Sequence, residues 1–286
     1  MGTITVGQEN SQPIELHVED NGAGRPVVLL HGWPLDSRSW EPQFHALLSA
    51  GYRVITYDRR GFGRSTRPTV GYDWDTLAGD LDQVLTQLDL RDVTVIGFSL
   101  GTGELARYIG SRGTDRLHSC VFIESLAPSF GKSADNPQGV DSAGVADVQH
   151  AILEDRYAWL TGLLNDFLNL EDYLGKRVSE QTVRALWNAG AEAGAHATWA
   201  CPPGWLADFS ADITHIDVPT LIIHGTADRI LPIDGQGRRL HAALPSATYV
   251  EIDGGPHVGC VTHAEEINDV LLTFLAHTVA PAPVTS

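Results

Sequence analysis

From residue 27 onward, short apolar segments rich in β-branched residues alternate with longer amphipathic segments, and this alternation is the strongest constraint on the fold. The apolar segments are VVLLH (27–31), RVITYD (53–58), VTVIGFS (93–99), LHSCVFIES (117–125), TLIIHG (220–225) and ATYVEID (247–253). Helical patterns occur around 39–49, 75–89, 101–112, 236–243 and 263–277. Apolar strands separated by helices predict a parallel sheet covered by helices on both faces.

Two regions depart from this alternation. The first 20 residues alternate apolar and polar side chains around NSQP, which predicts an antiparallel hairpin. Residues 129–212 carry helical patterns and no strand pattern. We therefore expect a core formed by residues 1–128 and 213–279, a helical cap at 129–212 inserted after the sixth strand, and a flexible tail at 280–286.

Charge and cysteine content exclude several classes of function. The chain has 19 Lys and Arg against 36 Asp and Glu, a net charge of −17. Because so acidic a surface repels phosphate groups, we expect no nucleic-acid partner and no membrane partner. The first residues carry no secretory signal pattern. Three scattered cysteines (Cys120, Cys201 and Cys260) and the lack of zinc or haem spacing motifs predict buried thiols in the cytoplasm and no metal site.

The sequence Gly97-Phe98-Ser99-Leu100-Gly101 lies where a predicted strand ends and a predicted helix begins. A tight strand-to-helix turn lifts a serine hydroxyl above the sheet, and glycines stand beside it because larger side chains would collide. The five-residue pattern alone is weak evidence in a glycine-rich chain. Its position between strand and helix makes Ser99 a candidate nucleophile.

Two further residues complete an arrangement for nucleophilic catalysis by serine. Asp228 follows the next-to-last predicted strand, and His257 follows the last one. Since parallel strands end at the same edge of a sheet, both residues are predicted to lie near Ser99. In such an arrangement the histidine accepts the serine proton and the aspartate orients the imidazole.

A reaction of this kind also needs donors for the negative oxygen that forms on the substrate. The backbone N–H of Leu100 directly follows the candidate nucleophile. The backbone N–H of Trp33, in the loop His31-Gly32-Trp33-Pro34 after the first apolar strand, is the second predicted donor.

The segments HGWP, YDRRGFGRS, GFSLGTGE, HGTADRILP and GGPH together resemble the α/β-hydrolase superfamily. More narrowly, they resemble its cofactor-free haloperoxidases and arylesterases, with their perhydrolase and γ-lactamase relatives. The resemblance covers about residues 12–278. It implies an α/β-hydrolase fold with a mostly parallel eight-stranded sheet, a Ser99-Asp228-His257 triad, no cofactor and a homo-oligomer, dimer or trimer.

The substrate pocket is less defined. Of the seven tryptophans, Trp159, Trp187, Trp199 and Trp205 fall in the predicted cap. We take Trp159, Trp187 and Trp205 as candidates for an apolar pocket, although packing between cap helices would also account for them. Glu124 follows the sixth strand near the same edge. It is either a substrate-binding residue or reserve acid, or a solvated charge at a strand end.

These features predict a serine hydrolase that cleaves a small apolar or aryl ester, or a lactone or lactam, through an acyl-enzyme. Peroxide in place of water would yield a peracid, which gives perhydrolase and haloperoxidase activity. Two alternatives stay open: a halogenating oxidoreductase that uses the same triad, and a non-catalytic small-molecule receptor, against which the intact triad argues. A haloalkane dehalogenase or epoxide hydrolase is disfavoured, because its ester intermediate needs a carboxylate where this chain has Ser99.

Overall fold

A computed structural model describes residues 2–278 of the chain, so the tail predicted at 280–286 lies outside the described residues. Within them, one sheet contains the strands β1 (Gly2–Glu9), β2 (Gln12–Asn21), β3 (Pro26–Leu30), β4 (Arg53–Tyr57), β5 (Val93–Phe98), β6 (Leu117–Ile123), β7 (Thr220–Gly225) and β8 (Thr248–Ile252).

The strand order is β1-β2-β4-β3-β5-β6-β7-β8. β1 and β2 form an antiparallel pair, β2 is antiparallel to β4, and the pairs from β4 to β8 are parallel. The predicted hairpin and the mostly parallel eight-stranded sheet are both confirmed. Because β3 and β5 to β8 run in one direction, the loops that follow them meet at one edge of the sheet.

The helices of the described part are α1 (Glu41–Ser49), α2 (Trp74–Gln87), α3 (Leu100–Arg112), α4 (Ser142–Leu168), α5 (Leu170–Tyr173), α6 (Glu180–Glu192), α7 (Ala195–Ala200), α8 (Ser210–Ile213), α9 (Gly237–Ala243), α10 (Gly259–Thr262) and α11 (Ala264–His277). None of these helices combines the length and the apolar character needed to cross a membrane.

Alternate strand residues face opposite sides of the sheet and build two hydrophobic cores. In β3, Val28 and Leu30 join the core that contains α2, α3 and α9, whereas Val27 and Leu29 join the core that contains α1 and α11. This is the period of two that β-strands impose on their side chains. Both faces are apolar and covered, as the uniformly apolar strand segments predicted.

Between β6 and β7, the described residues form helices α4 to α8 and no further strand of the sheet. α4 is kinked at Asp155, whose φ of −155° is not helical and whose carboxylate accepts the backbone N–H groups of Tyr157 and Ala158. These helices contact the carboxyl edge of the sheet, since Phe167 O accepts the N–H of Val258 at 2.8 Å.

Candidate active site

Ser99 lies in the turn between β5 and α3 with a φ of +52°, a conformation that few side-chain-bearing residues adopt. Its N–H donates to Ile123 O at 2.9 Å, which holds the turn against β6. A Cβ at Gly97 would lie 2.7 Å from the carbonyl oxygen of Gly101, and one at Gly101 would lie 2.3 Å from that of Leu30. Only glycine fits at both positions, so the sharpness of the turn follows from the local sequence.

The side chains of Ser99, His257 and Asp228 form one hydrogen-bonded chain. Ser99 Oγ lies 2.9 Å from His257 Nε2, and His257 Nδ1 lies 2.8 Å from Asp228 Oδ2. Because a carboxylate only accepts, Nδ1 carries the ring proton and Nε2 is left to accept the serine proton. His257 is fully buried and Ser99 is 8 % exposed, so the hydroxyl faces the outside through a narrow opening.

Asp228 is held as an anion. Its Oδ1 accepts the backbone N–H groups of Ile230 and Leu231 at 2.8 and 2.9 Å, and its Oδ2 accepts from His257. Burial would raise the pKa of Asp228, but its interaction with His257 and the hydrogen bond from His224 outweigh that effect and hold the pKa well below its usual range. The carboxylate is therefore ionised at neutral pH and suited to stabilise an imidazolium.

The two predicted oxyanion donors border the same opening. Among the hydrogen bonds of residues 2–278, none uses the backbone N–H of Trp33 or of Leu100. Leu100 is the first residue of α3, where helix geometry leaves N–H groups free and favours negative charge. A Cβ at Gly32 would lie 2.6 Å from the Phe98 ring and 3.1 Å from Ser99 Cβ, so glycine lets the Trp33 loop approach Ser99.

A buried network that sequence reasoning missed joins the Trp33 loop to α3. Arg59 forms an ion pair with Glu104 at 2.6 Å, and both side chains are fully buried. Arg59 also donates from Nη2 to the carbonyl oxygen of His31, and its backbone N–H donates to His31 Nε2, both at 3.0 Å. Burial, reinforced by the Arg59 charge, lowers the pKa of His31 to about 4, so its ring is neutral.

This network gives the two predicted oxyanion donors a common support, because His31 precedes Trp33 by two residues and Glu104 lies one turn after Leu100. Tyr57 completes it through a hydrogen bond to Glu104. The only sign of this network in the sequence was Glu104, a charged residue that stands beside Leu105, Ala106 and the glycines of a buried helix face.

A cavity of about 260 Å³ opens above Ser99. Its wall is almost entirely apolar and consists of Trp33, Ser99, Leu100, Leu126, Phe130, Val140, Val148, Trp159, Leu163, Phe167, Trp205, Arg229, Ile230, Leu231 and His257. Trp159 and Trp205 pack on Trp33 with ring centroids 5.3 and 5.0 Å away. A larger groove of about 710 Å³ between α1 and α6 contains none of the three hydrogen-bonded residues.

Two of the predicted pocket residues, Trp187 and Glu124, lie outside this cavity. Trp187 packs beside Tyr157 and donates from Nε1 to Thr161 Oγ1 at 3.0 Å, because its face of α6 is directed toward α4. Glu124 is fully buried behind Asp228, so it neither contacts the cavity nor acts as a solvated strand-end charge.

Glu124, His224 and Asp228 bring an oxygen or nitrogen each to within 4.8 Å of one another, a spacing that a metal ion could bridge. The donor chemistry does not fit an ion. His224 Nε2 donates a proton to Leu231 O at 2.8 Å, and both Asp228 oxygens already accept N–H groups. His224 Nε2 and both Asp228 oxygens are therefore already engaged by the protein itself.

A sequence model of the alpha/beta hydrolase fold matches residues 25–264. A Synechocystis protein provisionally named a non-heme chloroperoxidase is 48 % identical over 275 residues, covering 96 % of this chain and 100 % of that protein. A bifunctional esterase/perhydrolase of Acinetobacter calcoaceticus is 32 % identical, with 87 % of this chain and 91 % of the relative covered.

Among solved structures, the bromoperoxidase from Bacillus anthracis superposes with a TM-score of 0.91 at 44 % identity, covering 96 % of this chain and 99 % of that one. The shared fold therefore extends over the helices between β6 and β7 as well as the sheet. This chain belongs to the α/β-hydrolase family, in the group that contains the non-heme haloperoxidases and the esterase/perhydrolases.

Proposed function

We propose that the protein is a serine hydrolase that cleaves small neutral esters with an apolar or aryl group through an acyl-enzyme. One observation carries this proposal: a hydrogen-bonded chain lies at the floor of an apolar cavity. In this chain Ser99 Oγ lies 2.9 Å from His257 Nε2, and His257 Nδ1 lies 2.8 Å from Asp228 Oδ2. Lactones and lactams present the same carbonyl group and belong to the same class of candidates.

In the proposed reaction, Ser99 Oγ attacks the acyl carbon while His257 Nε2 takes its proton. The N–H groups of Trp33 and Leu100 hold the oxyanion, and Asp228 stabilises the imidazolium. Collapse of the tetrahedral species breaks the ester bond, and His257 passes its proton to the departing alcohol. Water, deprotonated by His257, then attacks the acyl-enzyme and releases the acid and Ser99.

The cavity and its rim support a small, uncharged substrate. About 260 Å³ lies below the ~300–1,000 Å³ of pockets for drug-sized ligands. Arg229 is the charged residue of the wall, and its guanidinium is paired with Glu171 and Asp172. Among residues 2–278, the cavity wall therefore offers no free cation to a substrate carboxylate, and the net charge of −17 repels anions.

We also propose that residues 129–212 act as a cap on a core of residues 1–128 and 213–279. Trp159 and Trp205 from this segment form one wall of the cavity, while Trp33 and Ile230 come from the core. Substitutions in the segment should therefore change substrate choice and leave the hydrolytic machinery intact.

The test is hydrolysis of phenyl acetate and of p-nitrophenyl acetate, butyrate and decanoate. We expect wild-type activity on the short esters and a loss of kcat on the order of 10⁶ in Ser99→Ala. Ser111→Ala is the matched control, since Ser111 is exposed on the same helix α3 and bonds only to backbone carbonyls. A Ser99→Ala enzyme that keeps a tenth of the activity would exclude Ser99 as nucleophile.

A second activity, formation of peracids, is favoured by the names of the relatives, which include haloperoxidases and an esterase/perhydrolase. Hydrogen peroxide would attack the acyl-enzyme in place of water, with His257 taking its proton, and release a peracid and Ser99. The peracid then oxidises halide and is reduced to the carboxylic acid. Bromination of a phenolic dye should therefore follow acetate concentration and vanish in Ser99→Ala, whereas equal rates without any carboxylate would refute this route.

A further inference from the structure

Behind the hydrogen-bonded triad lies a second carboxyl group, that of Glu124, which follows β6. Its side chain is fully buried, and its φ of +48° is a strained conformation for a residue with a side chain. Its Oε1 accepts the N–H of Gly225 at 2.9 Å, and its Oε2 lies 3.2 Å from His224 Nε2. One carboxyl oxygen of Glu124 lies within 4.8 Å of one carboxyl oxygen of Asp228.

The protons of this cluster can be counted. His224 Nε2 lies 2.8 Å from the carbonyl oxygen of Leu231, an acceptor only, so Nε2 carries a hydrogen. His224 Nδ1 is buried and has no hydrogen-bond partner among residues 2–278. A second proton on Nδ1 would place an unpaired charge in the interior, so His224 is neutral.

Two carboxyl groups that share a buried site with no cation between them cannot both ionise. Asp228 is the ionised one, because it accepts three N–H groups, from Ile230, Leu231 and His257. Glu124 accepts fewer hydrogen bonds, since its backbone donor is the single N–H of Gly225, 2.9 Å from Oε1. The proton therefore belongs on Glu124. We place it on Oε2, which lies 3.2 Å from His224 Nε2 and is the more distant of the two oxygens from the Gly225 N–H, at 3.2 Å against 2.9 Å.

We propose that Glu124 is a protonated positioning residue that donates a hydrogen bond from Oε2 to Asp228 and so fixes the carboxylate that orients His257. The proposal rests on the proposed serine-hydrolase function for its kinetic consequence only. Burial and the neighbouring charge of Asp228 raise the pKa of Glu124 well above its usual value, in agreement with this proton count. Cys260 is a further ionisable group near Glu124, and burial raises the pKa of its thiol well above the usual value.

The hydrogen bond has a chemical consequence. A neutral donor on the Asp228 side of the triad holds the aspartate in place without adding negative charge near His257. An ionised Glu124 would instead add a second anion and favour protonation of the imidazole, which removes the general base. The two states are distinguishable, because glutamine reproduces a protonated glutamate in shape and charge but not an ionised one.

The first measurement tests the proton directly and needs no activity. Infrared difference spectra at pH 7 should contain the C=O stretch of a buried protonated carboxylic acid, sensitive to H/D exchange, in the wild type and in Glu265→Gln. Glu265 is exposed on α11 and serves as the matched control. The band should be absent in Glu124→Gln. A band that is missing in the wild type, or that survives in Glu124→Gln, would overturn the proposal.

The second measurement is the pH profile of kcat/KM for phenyl acetate. Glu124→Gln should keep kcat within about threefold and leave the midpoint of the acid limb unchanged, since it keeps both the charge and a donor. Glu124→Ala should lower kcat about ten- to a hundredfold with little change in KM, because a displaced Asp228 misorients the base. An acid limb that moves to lower pH in Glu124→Gln would show that Glu124 is ionised and refute the proposal.

Failure of the proposed serine-hydrolase function would give results different from those that overturn the Glu124 proposal. If the wild type hydrolyses no ester while the infrared band is present, the proton on Glu124 stands and the hydrolase assignment falls. If Glu124→Ala does not fold, the glutamine variant and the spectra still decide the question.

Discussion

A protonated glutamate in the interior makes stability depend on pH in a direction opposite to that of a paired carboxylate, and Glu124→Gln isolates this effect. In the unfolded chain a glutamate releases its proton near an ordinary pKa of about 4.3. In the folded protein the pKa of Glu124 is raised well above its usual value, so the folded state binds more protons at intermediate pH. Stability contributed by Glu124 is then fully present below pH ~4 and is lost as pH rises.

The size of this change in unfolding free energy follows from the binding of one proton. For each pH unit over which only the folded state keeps it, the wild type loses about 1.4 kcal/mol of unfolding free energy. Between pH 5 and pH 7 the wild type should therefore lose about 2–3 kcal/mol relative to Glu124→Gln, whose amide does not titrate. Asp228, with its pKa held low, stabilises above pH ~4 in both proteins and cancels in the difference.

The assay is guanidinium chloride unfolding of both proteins at pH 5, 6 and 7, with the denaturant slope required to match. The quantity of interest is the difference in unfolding free energy between the variants at each pH. Glu265→Gln should give a difference that does not change with pH. A Glu124→Gln difference that is also flat, or that moves in favour of the wild type as pH rises, would refute the protonated state.

Three further outcomes are expected. Asp228→Asn should lower kcat on phenyl acetate roughly 10⁴-fold with KM nearly unchanged, because the amide favours the wrong imidazole tautomer; a loss under tenfold would place the acid elsewhere. Glu104→Gln should cost about 3–5 kcal/mol in denaturant unfolding, since it leaves the buried Arg59 charge uncompensated; a loss below ~1 kcal/mol would contradict that pairing. Trp159→Ala should raise kcat/KM for p-nitrophenyl decanoate relative to acetate by about tenfold or more, because it enlarges the cavity; an unchanged ratio would remove Trp159 from acyl binding.

Much of the architecture could be predicted from the sequence because it depends on local rules. Apolar β-branched segments between amphipathic ones specify a covered parallel sheet, and such strands bring their following loops to one edge. Ser99, Asp228 and His257 all follow strands of that kind, so their proximity required no knowledge of side-chain packing. The need for glycine at position 97 is equally local, since a Cβ there would strike the backbone of Gly101 in the same turn, whereas glycine at position 101 is required by the backbone of Leu30 in the adjacent strand β3.

The cavity wall could be predicted only in part. The sequence placed four tryptophans in the segment 129–212, yet only packing determined that Trp159 and Trp205 face Trp33 while Trp187 turns toward Thr161. A helix pattern predicts an apolar face but does not specify which neighbouring element covers each residue on it.

The charge states were decided by tertiary structure alone. Glu124 is an ordinary strand-end glutamate in the sequence, and its carboxyl meets Gly225 across 101 positions of chain. Arg59 and Glu104 are paired across 45 positions. The cost of a buried charge depends on which groups the fold brings within hydrogen-bond distance and on how completely water is excluded. Sequence order therefore determined which residues reach the carboxyl edge of the sheet, and the packing behind that edge determined which of them are ionised.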